Sequence, residues 1–129
     1  MIKANYHTHT VFSDGKHTPE QMILAAIERG FDAIGFSDHS VTDFDLSWCL
    51  LPENTERYVN TVLELKKRYA DRIKVYCGLE QDACSPPPPH GVEYLIGSVH
   101  WLNVGETYLP LDESKDLLLD GIRSHFAGD

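Results

Sequence analysis

The sequence predicts an α/β fold in which short strands alternate with helices and form a parallel sheet or barrel. Apolar runs of strand length recur along the chain, and the segments between the first three carry apolar residues at helical spacing. A histidine or a carboxylate follows each of four such runs. Barrel enzymes place their catalytic residues at such strand ends. The predicted order of elements is β-α-β-α-β-β-α.

Local signals mark the first two strands and the helix between them. A strand at residues 2–6 precedes a helix whose start is indicated by Thr18 and Gln21, the two ends of a capping box. Gly30 can adopt the left-handed conformation that ends the helix. The apolar run Ala33–Phe36 is the second predicted strand, and it is short enough to be buried along its whole length.

The middle of the chain is predicted to hold a long helix and two further strands. An irregular loop at residues 43–52 leads into an amphipathic helix at residues 55–69, followed by a strand at residues 73–77. Four consecutive prolines at residues 86–89 form a stiff loop, which we expect to be a spacer rather than a recognition motif. The next strand is predicted at residues 92–99.

The remaining residues are predicted to form a short extended piece at residues 107–111 and a last helix at residues 114–126. Gly121 lies in the interior of this helix and is expected to weaken it, because glycine has a low helix propensity. The length suits one ordinary domain, and we predict a single domain over residues 1–129.

Composition and charge narrow the class of protein. The 129 residues are 42% hydrophobic and 24% charged, and no apolar run is long enough to cross a bilayer. The net charge of −9 argues against nucleic-acid binding driven by bulk electrostatics. The N-terminus lacks the apolar core of a signal peptide, so we expect a cytoplasmic protein without a membrane partner. We expect reduced thiols at the three scattered cysteines, Cys49, Cys77 and Cys84.

Polar residues that suit a metal ion follow the first two strands. His7 and His9 are two residues apart on an extended segment, so both imidazoles point to the same side. Asp14 lies in a Ser-Asp-Gly sequence, which is either an ordinary turn or a loop that offers a carboxylate to a metal. His39 follows the second strand, and Asp38 is expected either to orient it or to cap a helix.

A carboxylate and a histidine follow the third and fourth strands. Glu80 lies just past the third strand, and its carboxylate can bridge two cations, which an imidazole cannot do. His100 ends the fourth strand. Asp82 is expected to face away from the site or to cap the loop, and Trp101 to form a wall of the site or part of the core. Surface or helix-cap positions are expected for the remaining histidines, His17, His90 and His125.

The candidate ligands are expected to converge on one rim of the fold. Neighbouring parallel strands place their C-terminal ends together, so side chains distant in sequence can meet there. Neutral imidazoles combined with carboxylates are a ligand set that zinc, manganese and iron all accept. The sequence therefore predicts a divalent-metal site, with the candidate ligands His7, His9, Asp14, His39, Glu80 and His100.

These motifs resemble those of the PHP (polymerase and histidinol phosphatase) superfamily. The sequence His-Thr-His at residues 7–9, with Phe-Ser-Asp-Gly at 12–15 and Gly-Phe-Ser-Asp-His-Ser at 35–40, is similar to its first two motifs. Gly-Leu-Glu-Gln-Asp at 78–82 and Ile-Gly-Ser-Val-His at 96–100 resemble the histidinol-phosphatase branch more closely than the DNA-polymerase branch.

The resemblance implies a distorted (β/α)7 barrel of the TIM type with up to three divalent ions on its C-terminal rim. It implies that His7 and His9 bind the first ion and that Glu80 bridges this ion to a second. His100 would bind that second ion, and the third would be held by the remaining candidate ligands, Asp14 and His39. The resemblance assigns catalysis to Glu80, His100 and His39.

The reaction implied by the resemblance is hydrolysis of a small phosphorylated substrate. L-histidinol phosphate would be converted to L-histidinol and phosphate, a late step of histidine biosynthesis, by attack of a metal-bridged hydroxide. Two alternatives stay open, a metal-binding module without turnover and a PHP-type nuclease or other phosphoesterase. Members of the family are longer than this chain and add ligands from a second half. We therefore expect the first half of such a barrel, with unpaired sheet edges that favour self-association or covering by another segment.

Overall fold

The computed structural model describes residues 1–126, a part of the chain that contains three helices and six strands. The last three residues of the predicted domain, 127–129, lie outside the described residues. The elements in chain order are β1 (Ala4–Asn5), α1 (Pro19–Glu28), β2 (Ala33–Phe36), α2 (Pro52–Arg68), β3 (Lys74–Asp82), β4 (Tyr94–Ser98), β5 (Trp101–Val104), β6 (Thr107–Pro110) and α3 (Lys115–His125). None of these three helices has the length and hydropathy needed to cross a membrane.

The first four strands form one parallel sheet in the order in which they occur along the chain. The connection from β1 to β2 contains α1, and the connection from β2 to β3 contains α2. β3 reaches β4 through a loop that contains the four prolines, without a helix. The sheet is a curled half-barrel with helices packed against it, which confirms the predicted α/β fold class.

The main hydrophobic core lies between this sheet and its helices. Ile23 of α1 and Val62 of α2 are fully buried in the same cluster as Phe36 of β2. The hydroxyl of Tyr58, also in α2, donates a 2.7 Å hydrogen bond to the carbonyl oxygen of Gly78 in β3. Burial of this apolar cluster holds the helices against one face of the sheet.

Capping signals located α1 correctly. Thr18 and Gln21 form the reciprocal capping box, and Gly30 has the positive φ of 69° that the helix end requires. The long second helix begins at Pro52, three residues before the predicted start at residue 55. The reason is that proline suits the first turn of a helix, where its missing N–H has no partner to lose.

The third strand is longer than predicted. The sequence suggested an end at residue 77, but β3 continues to Asp82, so Glu80 lies within the strand and not past it. Gly78 does not end the strand because β3 pairs with β4 from this residue onward, and the ring of Tyr94 lies across Gly78. The absence of a Cβ at Gly78 gives that ring its space.

The last part of the described chain holds a hairpin that was not predicted. β5 and β6 pair antiparallel, whereas the sequence indicated only an extended piece at residues 107–111. Gly105, with a φ of 69°, supplies the turn between them. Ser114 caps α3 by accepting a hydrogen bond from the backbone N–H of Leu117. Gly121 lets this helix approach β6, because a Cβ there would lie 2.0 Å from the Cδ1 atom of Leu109.

β1 and β4 are the edge strands of the parallel sheet. Each pairs with a single neighbouring strand within residues 1–126. Unpaired strand edges can accept another strand. This property favours the predicted self-association through these edges, which stays a prediction.

Candidate metal centre

The C-terminal ends of the four parallel strands bring the six predicted ligands to one rim. His7 and His9 lie two and four residues beyond β1, and His39 lies three residues beyond β2. An isolated parallel bridge joins His39 to Glu80, so the pairing of β2 with β3 extends to the level of the site. His100 lies two residues beyond β4. The arrangement follows from the parallel sheet, in which equivalent strand ends share one edge.

Glu80 lies at the centre of the cluster. Its Oε2 atom is 3.0 Å from Nε2 of His7 and 3.0 Å from Nε2 of His9. The same oxygen is 3.3 Å from Nδ1 of His39, and the Oε1 atom is 3.5 Å from Nε2 of His100. The side chain of Glu80 is only 8% exposed. One buried carboxylate therefore contacts imidazoles from three other segments of the chain.

Asp14 joins the cluster from the loop after β1. Its Oδ1 atom is 2.8 Å from Nδ1 of His9, and its Oδ2 atom is 3.7 Å from Nε2 of His39. Of the two interpretations that the sequence left open, this geometry favours a loop that folds back toward the site. Its role as a metal ligand stays a prediction, as it does for the other five residues.

Asp38 does not have either of the roles predicted for it. The buried carboxylate accepts hydrogen bonds from the backbone N–H of Thr10 at 2.7 Å and from the hydroxyl of Ser13 at 2.6 Å. It therefore holds the loop that carries Asp14, instead of orienting His39 or capping a helix. Burial raises the pKa of Asp38, and the hydrogen bonds from Ser13 and Thr10 oppose that shift in part.

The donor atoms fit a divalent cation. Three groups of residues each offer ligand atoms within 4.8 Å of one another: His7, His9 and Glu80; His9, Asp14 and His39; and His39, Glu80 and His100. Nε2 of His9 and Nδ1 of His39 are buried and have no hydrogen-bond partner among residues 1–126, although both lie close to Glu80. A cation between such a nitrogen and the carboxylate would satisfy both atoms.

The charge states of two candidate ligands suit the same role. Burial lowers the pKa of His39, and the nearby His9 lowers it further, so its ring favours the neutral form that binds metals. Burial on its own would raise the pKa of Asp14. The hydrogen bond with His9 and the proximity of His39 outweigh burial and lower that pKa.

A cavity of about 380 Å³ opens beside the cluster. Trp48 lines it, with its ring centre 4.7 Å from that of His39 and 5.4 Å from that of His100. Trp48 was not predicted as a site residue, because the sequence indicates only an irregular loop around it. Trp101 lines the same cavity and packs against Phe44, in keeping with its predicted role as a wall of the site. A larger cavity of about 510 Å³ lies beside α1 and contains none of the six candidate ligands.

Of the two alternatives predicted for Asp82, the structure shows the loop cap. One carboxylate oxygen does cap the loop, because it accepts a hydrogen bond from the backbone N–H of Cys84 at 2.8 Å. The other oxygen faces His100 and not away from the site. All three histidines assigned to the surface are exposed, namely His17, His90 and His125. The three cysteines are free thiols, as predicted.

Comparison with known protein families identifies the family of this chain. The PHP domain family matches residues 5–127. The chain belongs to the PHP domain family. The resemblance noted from the histidine and aspartate motifs is therefore confirmed, and the curled parallel sheet is a PHP fold.

Similar PHP proteins include histidinol phosphatases. The Bacillus subtilis histidinol-phosphatase is 29% identical over an alignment that covers 87% of this chain and 49% of that protein. The crystal structure of a proposed histidinol phosphatase from Listeria monocytogenes has a TM-score of 0.72 at 22% identity, covering 90% of this chain and 52% of that one.

A second solved structure has the same fold. Histidinol phosphate phosphatase from Lactococcus lactis, complexed with zinc, L-histidinol and phosphate, gives a TM-score of 0.61 at 22% identity. The match covers 95% of this chain and 51% of that one. This PHP chain thus spans about half the length of each of these three relatives.

Proposed function

We propose that this chain is the metal-binding part of a metal-dependent phosphoesterase, and that its substrate is L-histidinol phosphate. The observation that carries the proposal is Glu80, whose two carboxylate oxygens lie within 3.5 Å of ring nitrogens from four histidines. Similarity to the Bacillus subtilis histidinol-phosphatase supports the choice of substrate. Glu80 and the surrounding histidines would hold a divalent cation, which would supply a nucleophilic hydroxide at neutral pH and stabilise charge on the phosphoryl oxygens.

The residues of the chain would contribute binding, orientation and a dry environment. Glu80 presents one oxygen to His7, His9 and His39 and the other to His100, so it can serve two neighbouring positions at once. The cavity of about 380 Å³ beside His39 and His100 has room for a small phosphomonoester. Trp48 and Trp101 line this cavity and would exclude water from the reacting group.

A metal-binding module without turnover is the second candidate. The chain covers 49% of the Bacillus subtilis protein and 51% of the Lactococcus lactis structure, so about half of each protein has no aligned segment in this sequence. A PHP-type nuclease is less favoured, because a net charge of −9 repels a phosphate backbone.

The test is phosphate release from L-histidinol phosphate by the metal-loaded chain and by the Glu80→Gln variant. Loss of the shared carboxylate removes several kcal/mol of charge stabilisation, so the variant should release phosphate at least about 100-fold more slowly. Glu28→Gln is the matched control, because Glu28 is an exposed carboxylate in α1, away from the strand-end site. This control variant should retain the activity of the unmodified chain.

Each result has a distinct meaning. Phosphate release that depends on Glu80 and not on Glu28 supports the phosphoesterase. A chain that binds the cation but releases no phosphate would favour the module without turnover. Release that is equally fast in both variants would contradict the role given to the cluster.

A further inference from the structure

Asp82 is a deeply buried carboxylate beside the cluster that belongs to none of the three ligand groups described above. It lies in β3 two residues after Glu80, so both side chains are on the same face of the sheet. Its side chain is 1% exposed. A buried carboxylate is costly to desolvate unless hydrogen bonds satisfy it, so its surroundings must supply them.

His100 supplies two of the contacts that Asp82 makes. The Oδ2 atom of Asp82 accepts a hydrogen bond from the backbone N–H of His100 at 2.8 Å and lies 3.1 Å from its Nδ1 atom. The backbone N–H of Cys84 donates to the Oδ1 atom at 2.8 Å. Both oxygens of Asp82 are therefore satisfied, and the ring of His100 is fixed at its backbone and at its Nδ1 atom.

These contacts determine where the neutral ring of His100 carries its proton. A carboxylate accepts hydrogen bonds, and Nδ1 lies 3.1 Å from Asp82 whereas Nε2 lies 3.5 Å from Glu80, so the closer contact favours the proton of a neutral ring on Nδ1. The Nε2 atom then has a free lone pair, and it lies 3.5 Å from Oε1 of Glu80. A histidine in the other tautomer would point an N–H at the same place and could not bind a cation there.

We propose that Asp82 is a positioning residue of the metal centre. It holds His100 in the tautomer whose Nε2 lone pair is directed at a cation shared with Glu80. The cation is part of the proposed function, on which this inference rests. The tautomer itself is a property of the chain alone and can be measured without metal.

The first experiment measures the ring nitrogens of His100 by ¹⁵N NMR in the metal-free protein, over a pH series that extends until the ring is neutral. We expect Nδ1 of His100 to carry the proton in the unmodified chain. The Asp82→Asn variant should lose this preference, because its amide N–H can donate to Nδ1 and so favours a proton on Nε2. Asp112→Asn removes an exposed carboxylate that lines the same cavity, and it should leave the His100 signals unchanged.

The second experiment is a double-variant cycle of zinc affinity, measured by calorimetry. Asp82→Asn should weaken zinc binding by about 10- to 100-fold, the usual effect of losing a group that orients a metal ligand. In a His100→Ala background the same change should have no further effect, because Asp82 acts only through His100. A purely structural role would instead give losses that add.

The outcomes separate this inference from the proposed function. A neutral ring of His100 that carries its proton on Nε2 in the unmodified chain would overturn the role of Asp82, whether or not the Asp82→Asn variant folds. Additive losses of zinc affinity would overturn it as well. If the unmodified chain binds no zinc, the proposed function fails, and the NMR result still decides whether Asp82 sets the tautomer.

Discussion

The substitution Gly78→Ala probes the packing that holds the site together. Tyr94 from β4 lies across Gly78 in β3, and its hydroxyl is 2.6 Å from the carbonyl oxygen of Tyr6 and 3.0 Å from that of Phe36. A Cβ on Gly78 would be only 2.3 Å from the nearest ring atom of Tyr94. The ring of Tyr94 would have to move, and the hydrogen bonds that its hydroxyl donates next to His7 would break.

The expected loss of stability follows from these contacts. Inserting a methyl group into a packed site costs about 1–3 kcal/mol, and losing the hydroxyl's hydrogen bond costs about 1 kcal/mol more. Replacing glycine by alanine also restricts the unfolded chain and returns about 0.4–1 kcal/mol. The net effect of Gly78→Ala should therefore be a decrease of about 1–3 kcal/mol in the free energy of unfolding.

Urea unfolding of the two glycine variants is the assay. Gly97→Ala is the matched control, because Gly97 lies in the neighbouring strand β4 and a Cβ added there would have open space within 4 Å among residues 1–126. This control should be as stable as the unmodified chain or slightly more stable. Equal stabilities of Gly78→Ala and Gly97→Ala, within about 0.5 kcal/mol, would refute the packing argument.

Two further predictions concern the residues around the cluster. Asp38→Ala leaves the N–H of Thr10 and the hydroxyl of Ser13 without their acceptor, so urea unfolding should show a loss of about 1–3 kcal/mol, smaller in Asp38→Asn. Burial lowers the pKa of His39 below its usual value of 6.5, so the folded chain binds fewer protons than the unfolded chain. Stability should fall as the pH drops from 6.5 through the folded pKa, and His39→Gln should flatten this part of the unfolding profile.

Elements with strong local signals could be predicted from the sequence. The helix α1 is defined by its own cap residues, Thr18 and Gln21, and by Gly30 at its end. β2 was located by a short apolar run between polar segments. The proximity of His7 and His100 followed from a rule about parallel strands, because equivalent strand ends share one rim.

Features that depend on distant contacts could not be predicted in this way. The extension of β3 beyond residue 77 depends on its pairing with β4, a strand that lies more than ten residues further along the chain. The orientation of Asp82 depends on His100, which lies 18 residues further along the chain. Trp48 contacts the imidazoles of His39 and His100 through the path of its loop, which has no regular pattern in the sequence.

The central claim is that Glu80 and the other five candidate ligands bind shared divalent cations. Anomalous diffraction from zinc-soaked crystals tests it most directly. We predict zinc peaks about 2.0–2.2 Å from a carboxylate oxygen of Glu80 and from ring nitrogens of the surrounding histidines. Zinc peaks only at exposed acidic side chains elsewhere, with none beside Glu80, would contradict it.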